Sequence, residues 1–237
     1  RAFVGGFLDS TKTKMNGQQP PGQTQKDLDM NDQIAAASLV AERHAVVTGG
    51  ARGIGAAIAA NLHSMGANIT LMGRNEKALL EASTALPGSA WQVTDITDPD
   101  FVATAFGAAT EHFGPVEVLI NNAGAAESAP FTKTSTALWE RMLAINLTGM
   151  FHCQQQVVVP MRAARWGRIV NVVSTAGLTG YAYVAAYCAA KHGAIGLTRA
   201  LALELAQEGI TVNAVCPGFT ATDLLEDSIR NIMNTTG

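Results

Sequence analysis

His44-Ala45-Val46-Val47-Thr48-Gly49-Gly50-Ala51-Arg52-Gly53-Ile54-Gly55 is the stretch of this sequence that decides its fold. A short apolar run rich in β-branched residues ends in a glycine-rich turn. The turn opens a helix-like run from Ala56 to Met65. Glycines let the backbone turn tightly and approach a ligand closely. The unpaired N–H groups and positive dipole end of the helix that follows favour a phosphate at that place. A glycine-rich turn between a strand and a helix therefore predicts a dinucleotide-binding site.

The same strand–helix alternation continues along the chain. Strands are expected at His44–Val47, Asn68–Met72, Ala90–Val93, Val116–Ile120, Arg168–Val173 and Ile210–Val215. Helices are expected from Gly53 to Met65, Asn75 to Leu86, Asp98 to Gly114, Ser135 to Arg165 and Ala185 to Gln207. Asp98-Pro99 is an N-cap followed by proline at the first helical position. The long helix from Ser135 is expected to bend or break near Pro160. Strict β-α alternation with nearly unbroken apolar strands implies an α/β fold, a parallel sheet covered by helices on both faces. Right-handed crossovers then give a doubly wound Rossmann sheet, whose ligand lies outside the carboxyl ends of the strands.

The chain has 237 residues, 48% of them hydrophobic, enough for a sizeable core. A net charge of −3 and a pI near 5.9 argue against a nucleic-acid or anionic-membrane surface. No apolar run reaches the roughly 18 residues needed to cross a bilayer. Cys153, Cys188 and Cys216 are odd in number and lack C-x-x-C spacing, so they read as reduced thiols of a cytoplasmic protein. The five histidines show no ligand spacing, and no metal site is expected. Residues 9–33 are rich in Gln, Lys, Asp, Thr, Asn, Pro and Gly and contain Pro20-Pro21-Gly22, which predicts a disordered or extraneous segment at 1–40 ahead of a single domain at 41–237.

Tyr187 and Lys191 lie four residues apart in a helical pattern and so share one face. An ammonium beside a phenol favours the phenolate, which suits the phenol to pass a proton near neutral pH. A dinucleotide site combined with such a phenol points to hydride transfer.

The motifs Thr48-Gly49-x-x-x-Gly53-x-Gly55, Asp95-Ile96, Asn121-Asn122-Ala123-Gly124, Asn146, Ser174, Tyr187-x-x-x-Lys191 and Pro217-Gly218 follow one another in that order. In this the chain resembles the single-domain short-chain dehydrogenases/reductases, over about residues 43–225. Its Ser174-to-Lys191 segment is similar to 3-oxoacyl and 3-hydroxyacyl (acetoacetyl-type) enzymes. The resemblance implies an oxidoreductase moving a hydride between a nicotinamide cofactor and a ketone or secondary alcohol. Ser174 would hold the substrate oxygen and Tyr187 would exchange its proton. Lys191 would bind the ribose and lower the Tyr187 pKa, and Asn146 would hold a water on the way to solvent. Gly49, Arg52, Gly53, Ile54, Gly55, Arg74, Asp95, Ile96, Asn122, Ala123, Gly124, Pro217 and Gly218 would line the cofactor, with Thr222, or its neighbour Thr220, at the carboxamide. Asp95 has a rival reading as a turn residue, and Asn146 has one as a polar residue at a helix kink. Tyr181 and Tyr183, with Leu178, Ala125, Ala126, Phe219, Leu224 and Leu225, would border the substrate.

NAD-preferring sites usually carry a carboxylate at the end of the second strand. Here that place is Gly73, flanked by Arg74, with Arg52 in the glycine loop, which favours NADP over NAD. Family members continue past the Pro-Gly motif with a lid, a helix and a last strand, so the domain is expected to be incomplete at its C-terminus. The resemblance implies a homotetramer for a complete chain and a dimer for this one. Two other classes compete. Extended-type epimerases usually show G-x-x-G-x-x-G, unlike the Gly49, Gly53, Gly55 spacing. A cofactor-binding protein without turnover is the other.

Overall fold

The computed structural model describes residues 39–218. Six strands form one parallel sheet in the order β3-β2-β1-β4-β5-β6, with β1 His44–Thr48, β2 Asn68–Gly73, β3 Ala90–Val93, β4 Val118–Asn121, β5 Gly167–Val172 and β6 Ile210–Val215. Between them run α1 Gly53–Ser64, α2 Glu76–Thr84, α3 Pro99–Phe113, α4 Thr136–Leu143, α5 Gly149–Ala164 and α6 Ala185–Leu205. This is the doubly wound order expected of a Rossmann sheet, with the change of direction between β1 and β4.

Successive strand residues feed two separate cores. Val46, Met72, Leu119 and Ile169 pack with Val102, Phe106, Val157 and Leu205 of α3, α5 and α6. Their neighbours Ala45, Val47, Ile69, Leu71, Val118 and Ile120 pack with Ala59 and Leu79 of α1 and α2. Because both faces are covered, every residue of β1 and β4 is buried. That is the physical origin of their unbroken apolar character.

Side chains cap three helices. Asn75 Oδ1 accepts from Ala78 N at 3.0 Å, Asp98 Oδ1 from Asp100 N and Phe101 N at 3.0 and 3.1 Å, and Ser135 Oγ from Leu138 N at 3.1 Å. Each such cap contributes about 1 kcal/mol. The long helix departs from expectation. It runs on through Pro160 to Ala164, and its irregular turn is instead a π-helical segment at Ala144–Thr148. The cause is Asn146, whose buried Nδ2 donates to Met142 O at 3.1 Å and so competes for the carbonyl four residues back. Among the described residues no helix is long and apolar enough to cross a membrane.

His44 is buried at the opposite end of β1 from the glycine turn. Its Nδ1 lies 2.7 Å from Gly114 O and its Nε2 2.9 Å from Thr70 Oγ1, with Phe113 edge-on to the ring. Desolvation lowers its pKa below 6.5, against the raising effects of the Gly114 hydrogen bond and the Glu117 carboxylate, while His112 adds to the lowering. A depressed histidine pKa means that the folded state binds fewer protons than the unfolded chain. Its contribution is intact above the unfolded pKa of 6.5 and is lost as pH falls below it. Thermal unfolding of the parent and of His44→Gln, followed between about pH 7.5 and 5, tests this. The acid-side fall in Tm should be shallower in the variant, and parallel curves would contradict it.

Candidate functional site

The turn after β1 is held from below by β4. Thr48 Oγ1 donates to Ile120 O at 3.4 Å and accepts from Asn122 N and Ala123 N at 3.0 and 3.1 Å. Asn122 Nδ2 donates to Thr48 O and Gly49 O at 3.0 and 3.1 Å, and Gly49 N reaches Met72 O at 2.7 Å. Gly49 has φ +62, a region that suits glycine. At Gly55 a Cβ would fall 2.3 Å from Gly49 O and 2.5 Å from Asn122 Nδ2, so only glycine fits. Gly53 opens α1, whose first-turn N–H groups lack intrahelical acceptors.

Above this turn lies a cavity of about 510 Å³. Gly49, Arg52, Gly53, Ile54, Arg74, Asp95, Ile96, Asn122, Ala123 and Gly124 line it, while Gly55 sits behind the wall. Gly73 lies at the β2 end of the cavity, with no carboxylate there. Asn75, Thr94 and Ile145 also line it and went unmarked in the sequence. Asn75 carried a signal as the N-cap of α2, whereas nothing in the pattern singled out Ile145.

Asp95 combines both of its readings. Its Oδ1 closes a turn, accepting from Thr97 N at 3.0 Å and Thr97 Oγ1 at 2.7 Å, while the residue still borders the cavity. Desolvation pushes its pKa up, but the two Thr97 hydrogen bonds and the Arg74 charge outweigh it and hold the carboxyl below its ordinary value. Asn122 is more a support than a lining group, since its amide nitrogen is spent on the glycine turn.

Asn146 and Lys191 reach Gly124, which lines the cavity, and Tyr187 and Ser174 adjoin Lys191 and the end of β5. Ser174 follows β5, and its Oγ accepts from Ala176 N at 3.1 Å on the Tyr187 side of the strand end. Lys191 Nζ is buried, donates to Val172 O at 3.2 Å and lies 5.6 Å from the centre of the Tyr187 ring. Asn146 Nδ2 donates to Ala125 O at 2.8 Å, and its Oδ1 accepts from Ala125 N at 3.3 Å. A Cβ placed on Gly124 would be 3.0 Å from Asn146 Oδ1 and 3.7 Å from Lys191 Nζ, so both groups face the same spot.

The expected lowering of the Tyr187 pKa by Lys191 does not hold in this geometry. Burial raises the phenol above its ordinary value, Cys188 adds to the rise, and the hydrogen bond with Ser174 only partly offsets them. Lys191 lies against the ring rather than at the hydroxyl, and burial brings its own pKa down to about 8, against a raising effect from Cys216.

Pro217 O accepts from Thr175 N at 3.0 Å, which sets Pro217-Gly218 next to the Ser174 segment. Thr220, Thr222, Phe219, Leu224 and Leu225 lie outside the described residues, as does most of the 1–40 segment. On the substrate side, Tyr181 OH donates to Thr175 Oγ1 at 3.1 Å, and Tyr183 takes φ +67 with its carbonyl accepting from Ala129 N at 2.7 Å. Tyr187, Ala125 and Ala129 pack against an apolar cluster of Leu138, Met142 and Ala186.

The family model for short chain dehydrogenases matches residues 43–232. A D-beta-hydroxybutyrate dehydrogenase of Rhizobium meliloti is 38% identical over 203 residues, covering 81% of this chain and 77% of the relative. An acetoacetyl-CoA reductase of Paracoccus denitrificans is 39% identical over 190 residues, covering 80% and 78%. The crystal structure of an actinorhodin polyketide ketoreductase variant with NADPH superposes with a TM-score of 0.80 at 35% identity, covering 82% of this chain and 78% of that one. With its parallel sheet, glycine turn and clustered Ser174, Tyr187 and Lys191, the chain belongs to the short-chain dehydrogenase family, NAD(P)-dependent oxidoreductases of alcohol and ketone groups.

Proposed function

We propose that this chain interconverts a 3-oxoacyl-type ketone and its secondary alcohol, with Tyr187 as the general acid and base and NADP as the preferred cofactor. The observation that carries this reading is the grouping of Tyr187 with Lys191, whose Nζ lies 5.6 Å from the phenol ring and faces Gly124 on the cavity wall, and with Ser174 at the end of β5. Two hydroxyls that meet there suit a single substrate oxygen. Ser174 donates a hydrogen bond to that oxygen and stabilises charge as it develops. Tyr187 gives it a proton on reduction and takes one on oxidation. The nicotinamide, when bound, supplies or accepts the hydride. Lys191, buried against the Tyr187 ring with its Nζ facing Gly124, holds its positive charge below about pH 8 and is placed to bind a hydroxyl of the nicotinamide ribose. Asn146 keeps the Ala125 backbone in place beside them.

The residues fit a dinucleotide. The turn at Gly49 and Gly55 leaves no room for side chains where a pyrophosphate must approach. Arg52 and Arg74 both line the cavity, and Gly73 leaves space between them and the end of β2. Guanidinium groups suit a 2′-phosphate, and the missing carboxylate removes the usual partner of the NAD ribose. The acetoacetyl-CoA reductase and D-beta-hydroxybutyrate dehydrogenase relatives support a 3-oxoacyl or 3-hydroxyacyl substrate. Three free thiols suit a cytoplasmic location.

Tyr187→Phe should lower turnover of an acetoacetyl thioester with NADPH by about 10²–10⁴-fold while NADPH binding is kept. Turnover within about tenfold of the parent would remove Tyr187 from the mechanism. Cofactor binding without any turnover in the parent would instead favour a binding protein.

NADPH should bind more tightly than NADH in a fluorescence titration. Gly73→Asp should reverse the order by setting a carboxylate against the 2′-phosphate. Equal affinities, unchanged by the substitution, would overturn the NADP assignment.

Val159 on α5 and Leu203 on α6 are 71% and 81% exposed, and Phe151 on α5 is also open to solvent. These faces suit pairing of α5 and α6 with a second copy. Light scattering at micromolar concentration should give at least a dimer, and a stable monomer would contradict the pairing.

A further inference from the structure

Four polar side chains are buried together beneath the site, each at most 5% exposed: Asn121 of β4, Asn171 of β5, Gln154 of α5 and Thr198 of α6. Asn171 is their hub. Its Oδ1 accepts from Asn121 Nδ2 at 3.0 Å and from Gln154 Nε2 at 3.1 Å, and its Nδ2 donates to Thr198 Oγ1 at 2.9 Å. The orientation of every amide follows from one hydroxyl. Thr198 donates its only proton to Ala194 O at 2.7 Å, so toward Asn171 it can only accept. Asn171 must therefore turn its NH₂ to Thr198 and its oxygen to the other two amides, which must both offer N–H. This leaves Asn121 Oδ1 and Gln154 Oε1 buried without partners.

A network with two orphaned acceptors is a poor way to stabilise a core, because each orphan carries a desolvation cost that an apolar side chain of the same shape would avoid. What the network does supply is register. Each of its four elements carries one part of the site. Asn121 directly precedes the Asn122-Ala123-Gly124 wall. Asn171 lies three residues before Ser174 and next to Val172, whose carbonyl holds Lys191. Gln154 is on the helix that continues from the Asn146 turn. Thr198 is seven residues after Lys191, two turns along the same face of α6. We propose that Asn171, locked in orientation by Thr198, is a positioning residue that sets α6, and with it Tyr187 and Lys191, against the ends of β4 and β5. The inference rests on the assignment of Tyr187 as the acid and base.

Thr198→Val keeps the shape and removes the lock, and Thr198→Ser keeps the lock and removes a methyl. With NADPH and an acetoacetyl thioester, Thr198→Val should lose roughly 10–100-fold in kcat, the scale of a small misplacement of reacting groups. Its NADPH Kd should change by less than its kcat, and its pH–rate profile should shift relative to the parent. Thr198→Ser should restore kcat and the parent profile even though it leaves a small cavity and a lower Tm. A kcat unchanged in Thr198→Val, or lost equally in both variants in step with Tm, would overturn the proposal. Should Thr198→Val fail to fold, Gln154→Met carries the test. It removes one arm and one orphan, so kcat should fall without a fall in Tm, and an unchanged kcat would overturn the proposal. If the unsubstituted chain itself shows no turnover, the functional reading fails and this inference falls with it.

Discussion

The close approach of β1 and β4 at their carboxyl ends is the constraint on which the rest of the site depends. Thr48 and Asn122 lace the two strand ends together through hydroxyl, amide and backbone groups. The lacing leaves no volume for a side chain at Gly55. The glycine turn is thereby fixed at the one place in a doubly wound sheet where crossovers diverge and a crevice opens. Without that approach, the helix N-terminus at Gly53 would have no fixed relation to Gly124, and the two ends of the cavity would not share one frame.

The end near Lys191 and Tyr187 is built at a cost to the fold. Lys191 is an ammonium buried beneath the sheet end, with its pKa pulled down to about 8 by desolvation. Tyr187 is pushed the other way by the same cause. Neither group would be placed so for stability, since burying a charge is expensive unless it is well paired. The π-helical turn at Ala144–Thr148 is a second local concession. There the helix yields regular hydrogen bonding so that Asn146 can turn inward and hold the Ala125 backbone. Irregular helix of this kind is frequent at functional sites.

Support for these groups comes from layers that are themselves ordinary. The alternating residues of β1, β2, β4 and β5 fill two apolar cores. The helix caps at Asn75, Asp98 and Ser135 fix where helices begin, so each βα connection delivers its polar residues to the same edge of the sheet. Stable layers tolerate a few strained or unpaired groups, and those groups gather at the strand ends where the ligand must lie.

The sequence by itself determined the class of fold, the six strands to within a residue or two, and most of the cavity lining. These follow from short-range physics: apolar periodicity, glycine where backbone must turn, and caps where helices start. The spacing of Tyr187 and Lys191 also placed both on one helical face. Only the tertiary structure decided what those groups experience. Lys191 lies against the Tyr187 ring instead of at its hydroxyl, so burial rather than the ammonium dominates the phenol. Asn122 spends its amide on the glycine turn, and the long helix continues through Pro160. The network around Asn171 was hidden for the same reason. Asn121, Gln154, Asn171 and Thr198 are scattered over 78 residues of sequence, from 121 to 198, and meet only when sheet and helices pack. Desolvation and long-range hydrogen bonding depend on what surrounds a residue in space, which no local pattern encodes.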